Sequence, residues 1–316
     1  MTVNETILLS DDIDNLLYVF ANETILLQQL RMIRRIDALD SRYYYTLDGD
    51  EATFYISTTS FIKKVTPTSA YLIEWFKKNG QQADVLRDQA ADFGTLMHIC
   101  FAEYHEHGYN FNTTAKRVKE WIQQCGHPLA LAGEWTKKLN KAVASYAKFC
   151  ADYDIEPILI EGMLASDEMG IAGTLDLVAF ATIERKIGKG KAADIVRERK
   201  LINLDFKSGN IHKSAQMQLS INKMIFEENF PHLEIAENWS WSPKDFQKEP
   251  TYMLVNQTQT IYTPALIDNY LAIYAAEYNG ELEAKTFHQF TGTIKPGAEL
   301  AQHHRAVGIT EAILPY

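Results

Sequence analysis

The spacing of hydrophobic positions changes along the chain, and each change predicts an element. The first fifty residues read as helical and end in SRYYYTLDGDEATFYIS, Ser41 to Ser57, which alternates on either side of a turn at Asp48-Gly49-Asp50. TPTSAYLIEWFKKNG follows as a short amphipathic helix with Gly80 as its stop. QQADVLRDQAADFGTLMHICFAEYHEHG is a longer helical region closed by Gly108, and two more helices are expected from Thr114 to Gln124 and from Leu129 to Tyr153. The pattern then switches. IEPILIEGMLASDEMGIAGTLDLVAFATIE reads as two strands around a turn, and KLINLDFKSG as a third. HKSAQMQLSINKMIFEENFP is a helix ended by Pro231, ENWSWSP and PTYMLVNQT are further strands, and TPALIDNYLAIYAAEYNG is a last helix with Pro264 in its first turn. This order predicts an α/β or α+β core with a helical N-terminal elaboration, and no internal repeat or low-complexity linker interrupts it.

With 316 residues the chain can build a substantial core, as one large domain or two. Its 46% apolar and 23% charged content is that of a soluble globular protein. No apolar run approaches the roughly 20 residues that span a bilayer, so no membrane partner is expected. The opening MTVNETILLSDD lacks a basic n-region, so neither a secretory signal nor a transit peptide is expected. Cys100, Cys125 and Cys150 form no C-x-x-C pair, which predicts a reducing compartment and argues against a zinc ribbon or an iron–sulfur cluster. The cytoplasm, of a bacterium or a phage-infected host, is the expected location. HEHG and AQHHR lack the H-E-x-x-H spacing of a zinc hydrolase. A net charge of −10 argues against a general nucleic-acid binder. One block departs from it: Arg185 to Lys200, RKIGKGKAADIVRERK, holds seven basic and two acidic residues. It is either a solvated loop or a phosphate-tracking patch.

Chemistry concentrates in the strand block. In LDFKSGN, strand geometry sends Leu204 and Phe206 to one face and Asp205 and Lys207 to the other. Alone, D-x-K is an ordinary surface pattern. GTLDLV, however, places Asp176 on the preceding strand, and in a hairpin Asp176 and Asp205 can share a face. Facing carboxylates repel unless a cation lies between them, and hard oxygen ligands suit Mg²⁺. A neighbouring Lys207 can position the attacking water and stabilise developing negative charge. Glu161 in IEGML offers another carboxylate, and His98 in GTLMH sits on a helix one turn after Gly94. Gln218 and Asn222 lie four apart on one helical face, either as solvent-facing amides or turned toward the strand end. Tyr43, Tyr44, Tyr45, Trp75 and Phe76 could stack on bases, with core the preferred reading for Trp75 and Phe76.

The ordered pieces GTLMH, IEGML, GTLDLV, DFKSG and QLSIN resemble the PD-(D/E)xK nuclease superfamily in its RecB-like exonuclease branch. YISTTSFIKKV and LIEWFKKNG are similar to upstream segments of phage and mitochondrial genome-maintenance exonucleases, so the likeness runs from about Tyr55 to Asn256. It implies a restriction-endonuclease-like core, a central mixed sheet flanked by helices. The division expected is 1–90 as helical elaboration, 91–280 as nuclease core and 281–316 as C-terminal tail. The resemblance implies Asp176, Asp205, Lys207 and Glu161 as catalytic residues. It places one or two Mg²⁺ or Mn²⁺ ions on His98, Asp176, Asp205 and Phe206. Gln218, Asn222, Ser208, Arg185, Lys186, Lys189 and Lys191 would meet DNA. Asn222 stands where the family has Tyr, the Asp176-to-Asp205 spacing is long because of the basic insertion, and the iron–sulfur cysteines are missing. The implied activity is a metal-dependent DNA exonuclease in recombination, repair or replication, acting on single- or double-stranded ends, with a single-strand annealing or replication protein as a further partner. The alternatives are a non-catalytic DNA-binding or assembly module on the same fold, and an endonuclease.

Overall fold

The computed structural model describes residues 33–38, 41–48, 51–187, 194–211 and 214–278, with isolated strands at 5–8, 18–21, 286–290 and 304–308. Within these, ten strands form one mixed sheet with helices on both faces, and a largely helical stretch from Thr58 to Tyr153 separates its first five strands from its last five. The strands before it are β1 (Glu5–Leu8), β2 (Tyr18–Ala21) and β3 (Arg34–Ala38), where a helical reading was expected, then β4 (Ser41–Asp48) and β5 (Glu51–Ser57). The hairpin expected at Ser41 to Ser57 is the β4–β5 pair, with Asp48 opposite Glu51. Tyr43, Tyr44 and Tyr45 are buried in it, which removes them from any base-stacking role.

Helices α1 (Thr58–Val65) and α2 (Ala70–Asn79) each start on a serine N-cap: Ser57 Oγ accepts from the Ser60 amide and Ser69 Oγ from that of Leu72. Helices α3 (Ala83–His107), α4 (Thr114–Gln124) and α5 (Ala132–Tyr153) follow. Residue 91 thus lies inside α3. The central strands are β6 (Glu156–Ser166), β7 (Ile171–Ile187) and β8 (Asp194–Phe206). Then come α6 (Ser214–Asn229), β9 (Glu237–Pro243), β10 (Tyr252–Asn256) and α7 (Pro264–Glu277). Two strands of the C-terminal segment, β11 (Thr286–Phe290) and β12 (His304–Gly308), pair, among the described residues, only with each other. No described helix is long and apolar enough to cross a membrane.

One face of the sheet packs Leu177, Ala179, Ile202, Leu204, Trp239 and Trp241 under α3, α4 and α5. The other packs Leu159, Val178 and Leu201 under α1, α6 and α7. Strand β7 organises the centre. Along one edge it pairs antiparallel with β6. Along the other it pairs with β5, parallel, at Ile171 and Ala172, and then with β8, antiparallel, from Leu177 onward. Residues 173–176 on that edge have neither neighbour, and the sheet forks there.

Candidate active site

The fork exposes a cleft of about 380 Å³ whose walls include Glu161, Asp176, His98, Lys207, Gln218 and Asn222. Antiparallel register brings the acidic residues to one level. Leu177 pairs with Leu204, so Asp176 stands opposite Asp205 one step past the end of that ladder. On the other edge, Ile160 pairs with Leu177 and Gly162 with Leu175, so Glu161 also stands opposite Asp176. Both strands change face at this rung: Ile160 and Leu177 pack beneath α3, whereas Leu164 and Leu175 pack beneath α6. The change is accommodated by Glu161, whose φ of 49° is left-handed.

Phe206 anchors the end of β8. Its ring is buried edge-on against Phe101 and Tyr146, at centroid separations of 5.0 and 5.2 Å, which leaves Asp205 and Lys207 on the opposite face. Its amide donates to Asp176 Oδ2 at 2.6 Å, so a side-chain carboxylate substitutes for the missing ladder partner. Any metal contact by Phe206 is confined to its backbone carbonyl, because the ring is packed away and the amide is taken.

Lys207 Nζ donates to Asp205 Oδ1 at 2.6 Å and lies 3.5 Å from Gln218 Oε1. Asp205 is 2% exposed, and its Oδ2 is buried with no hydrogen-bond partner among the described residues. A buried carboxylate oxygen without a partner is costly, and it marks a place for a cation or a donor. Burial, with the charge of Asp176, raises the Asp205 carboxyl to about 7 against the pull of Lys207. Burial also raises Asp176, with Glu161 adding to it. Burial lowers Lys207, but Asp205 and Asp176 outweigh it and leave the ammonium above its ordinary value. His98 Nδ1 lies 2.8 Å from Glu161 Oε1 and 3.9 Å from Asp176 Oδ1. Burial opposes protonation of its imidazole, yet the two carboxylates raise it to about 9. Asp176 and Asp205 are thus short of positive charge.

His98, Glu161 and Asp176 offer ligand atoms within 4.8 Å of one another, and the adjoining Asp205 carries the unpartnered oxygen. This oxygen-rich set with one imidazole fits a hard divalent ion such as Mg²⁺ or Mn²⁺. No family model matches the chain, and no curated protein matches it. The assignment of chemistry therefore rests on the cleft itself.

Among the residues expected to meet DNA, Gln218, Asn222 and Ser208 line the cleft. Asn222 is buried, not solvent-facing, and Gly173 is what admits it: a Cβ there would lie 3.2 Å from Asn222 Oδ1 and 2.7 Å from Thr58 Oγ1. The described part of the basic block, 185–187 and 194–200, does not line the cleft: it lies toward the far end of the β7–β8 pairing, where Ile187 pairs with Asp194. Eleven residues of strand separate Asp176 from Ile187, roughly 35 Å at a strand's rise. Arg185 pairs there with Glu198 and Glu237, and Arg197 with Glu184. Arg199 pairs with Glu156 and Lys200 with Glu237. Lys186 lies in β7, and Lys189 and Lys191 fall outside the described residues. Besides Lys207, the cleft is lined by Arg35 and Arg42, beside Ser57, Thr58 and Thr59 at the start of α1. Sequence reasoning passed over them, because their approach to β7 depends on pairing between segments far apart in the chain. Trp75 and Phe76, expected in the core, are half-buried on α2, a helix with no buried residue.

Proposed function

We propose that this chain is a divalent-metal-dependent deoxyribonuclease of the cytoplasm, acting as an exonuclease at DNA ends in recombination, repair or replication. The observation that supports it most is the convergence of Asp176, Asp205 and Lys207 at the sheet fork, with a buried Asp205 oxygen that lacks a partner. Asp176 and Asp205 would hold Mg²⁺ or Mn²⁺, with Glu161 and His98 beside them. When bound, such an ion supplies charge stabilisation for a phosphoryl group and a more acidic water. The residues of the chain do the rest. Lys207, fixed by Asp205 and beside Gln218, orients a water and offsets negative charge growing on the phosphate. Arg35 and Arg42 meet flanking phosphates across the cleft. Asn222 and Thr58, close to Gly173, narrow the floor beneath the strand being cut.

The test uses end-labelled single- and double-stranded DNA, linear and circular, with Mg²⁺, Mn²⁺ or EDTA. Stepwise degradation of linear DNA, abolished by EDTA and reduced by about 100-fold or more in Asp205→Ala and Lys207→Ala, is expected. Cleavage of circles would reassign the protein as an endonuclease. Binding without cleavage by the wild type would make it a non-catalytic module, and cleavage undiminished in both variants would refute the site.

A further inference from the structure

A second group of ligand atoms, none of them lining the cleft, joins α3 to the end of α4. Asp92, Cys125 and His127 bring a carboxylate oxygen, a thiol sulfur and an imidazole nitrogen within 4.8 Å of one another. The backbone holds this arrangement tightly. Helix α4 ends in a Schellman turn: the His127 amide donates to Ile122 O at 2.9 Å and the Gly126 amide to Gln123 O at 3.2 Å. Gly126 takes the left-handed φ of 72° that this turn requires. The turn presents Cys125 and His127, as C-x-H, toward α3.

Asp92 is fixed from the opposite side. Its carbonyl accepts the Trp121 indole N–H at 2.9 Å, and its Oδ2 lies 2.6 Å from His127 Nε2. The His127 ring packs edge-on against buried Trp135, centroids 5.8 Å apart. One wall is therefore apolar and dry, while Asp92 and Cys125 remain half-buried and leave a side open. Cys100 and Cys150, by contrast, are buried in the core.

We propose that Asp92, Cys125 and His127 form a binding site for a borderline-soft divalent cation of the Zn²⁺ class, with a solvent molecule in the open fourth position. The ligand set is what selects the ion. Thiolate and imidazole favour Zn²⁺ over Mg²⁺, whereas the oxygen-rich cluster at the fork favours the reverse. A cation here crosslinks the end of α4 to the middle of α3, the helix that also carries His98. This site is independent of the nuclease reading and stands or falls without it.

Chelator-treated full-length protein is titrated with Co²⁺, read by sulfur-to-cobalt charge-transfer absorption. One equivalent is expected to give the sulfur band, which Zn²⁺ abolishes and excess Mg²⁺ leaves in place. Cys125→Ser and His127→Gln should each weaken binding by more than the roughly 10- to 100-fold that loss of an outer partner costs, while Asp205→Asn leaves it intact. In wild-type protein, Zn²⁺ should protect Cys125 from alkylation, mapped by mass spectrometry, which requires no variant to fold. Absence of the sulfur band, its persistence in Cys125→Ser, or alkylation of Cys125 unaffected by Zn²⁺ would each overturn the proposal.

Discussion

Glu161 occupies left-handed backbone space, where a residue with a side chain bears a cost of about 1–2 kcal/mol. The neighbouring Gly162 is what lets the strand turn there. A Cβ at this position would lie 2.2 Å from Leu159 Cγ, inside the sheet. Gly162→Ala is therefore expected to destabilise by about 1–3 kcal/mol in urea denaturation, with activity falling as Glu161 shifts. An unchanged midpoint would show that Leu159 yields freely. The acidic residue in IEGML was readable as a strand carboxylate, and Asp205 with Lys207 as a pair on one strand face. The left-handed turn was not, because nothing local asks a glutamate to adopt it. It follows from the demand that two paired strands change face together at Glu161 and Asp176.

Two of the histidines on helix α3 stand in opposite electrical situations. His98 is held protonated by Glu161 and Asp176, whereas His105, beside the Tyr146 hydroxyl at 2.9 Å, is lowered to about 4 by burial. An unfolded histidine titrates near 6.5, so between about 4 and 6.5 the unfolded chain binds the extra proton. The stability contributed by neutral His105 is thus complete above pH 6.5 and is lost as pH falls toward 4. The loss amounts to roughly 3 kcal/mol. Chemical denaturation at pH 7.0 and 4.5 should show a smaller drop for His105→Gln than for wild type, and equal drops would remove His105 as the cause. At this scale the helices from Ala70 to Tyr153 were legible from period and caps, as were β6 to β10. The early strands were misread because short apolar runs such as YVFA carry no decisive period. What makes them strands is pairing with β6 and β7, more than a hundred residues away.

Across the whole molecule, positive charge is distributed against expectation. In the described part of the basic hairpin arm, Arg185, Arg197, Arg199 and Lys200 pair with Glu156, Glu184, Glu198 and Glu237, and Arg35, Arg42 and Lys207 line the cleft. Three phosphate contacts on single-stranded DNA give a slope of about −2 for log affinity against log salt. Filter binding in Ca²⁺ or EDTA over a salt series checks it, and a slope steeper than about −5 would bring the arm back into contact. Arg197→Ala is expected to change cleavage by less than about twofold, as befits a surface ion pair. The block was legible as basic but not as paired, since Glu156 and Glu237 come from β6 and β9, and Glu184 reaches Arg197 only across the hairpin.

The fork in β7 separates architecture from chemistry. Residues 173–176 carry no neighbouring strand on that edge, so the carboxylate at 176 is a tenant of the sheet and not one of its rungs. An asparagine there would still accept the Phe206 amide and hold the end of β8 in place. On the nuclease function proposed above, the same scaffold is one substitution away from gripping a strand without cutting it. A lineage that lost its acid at 176 would inherit an intact clamp, and the laboratory can make the same trap to capture an uncut strand in the cleft.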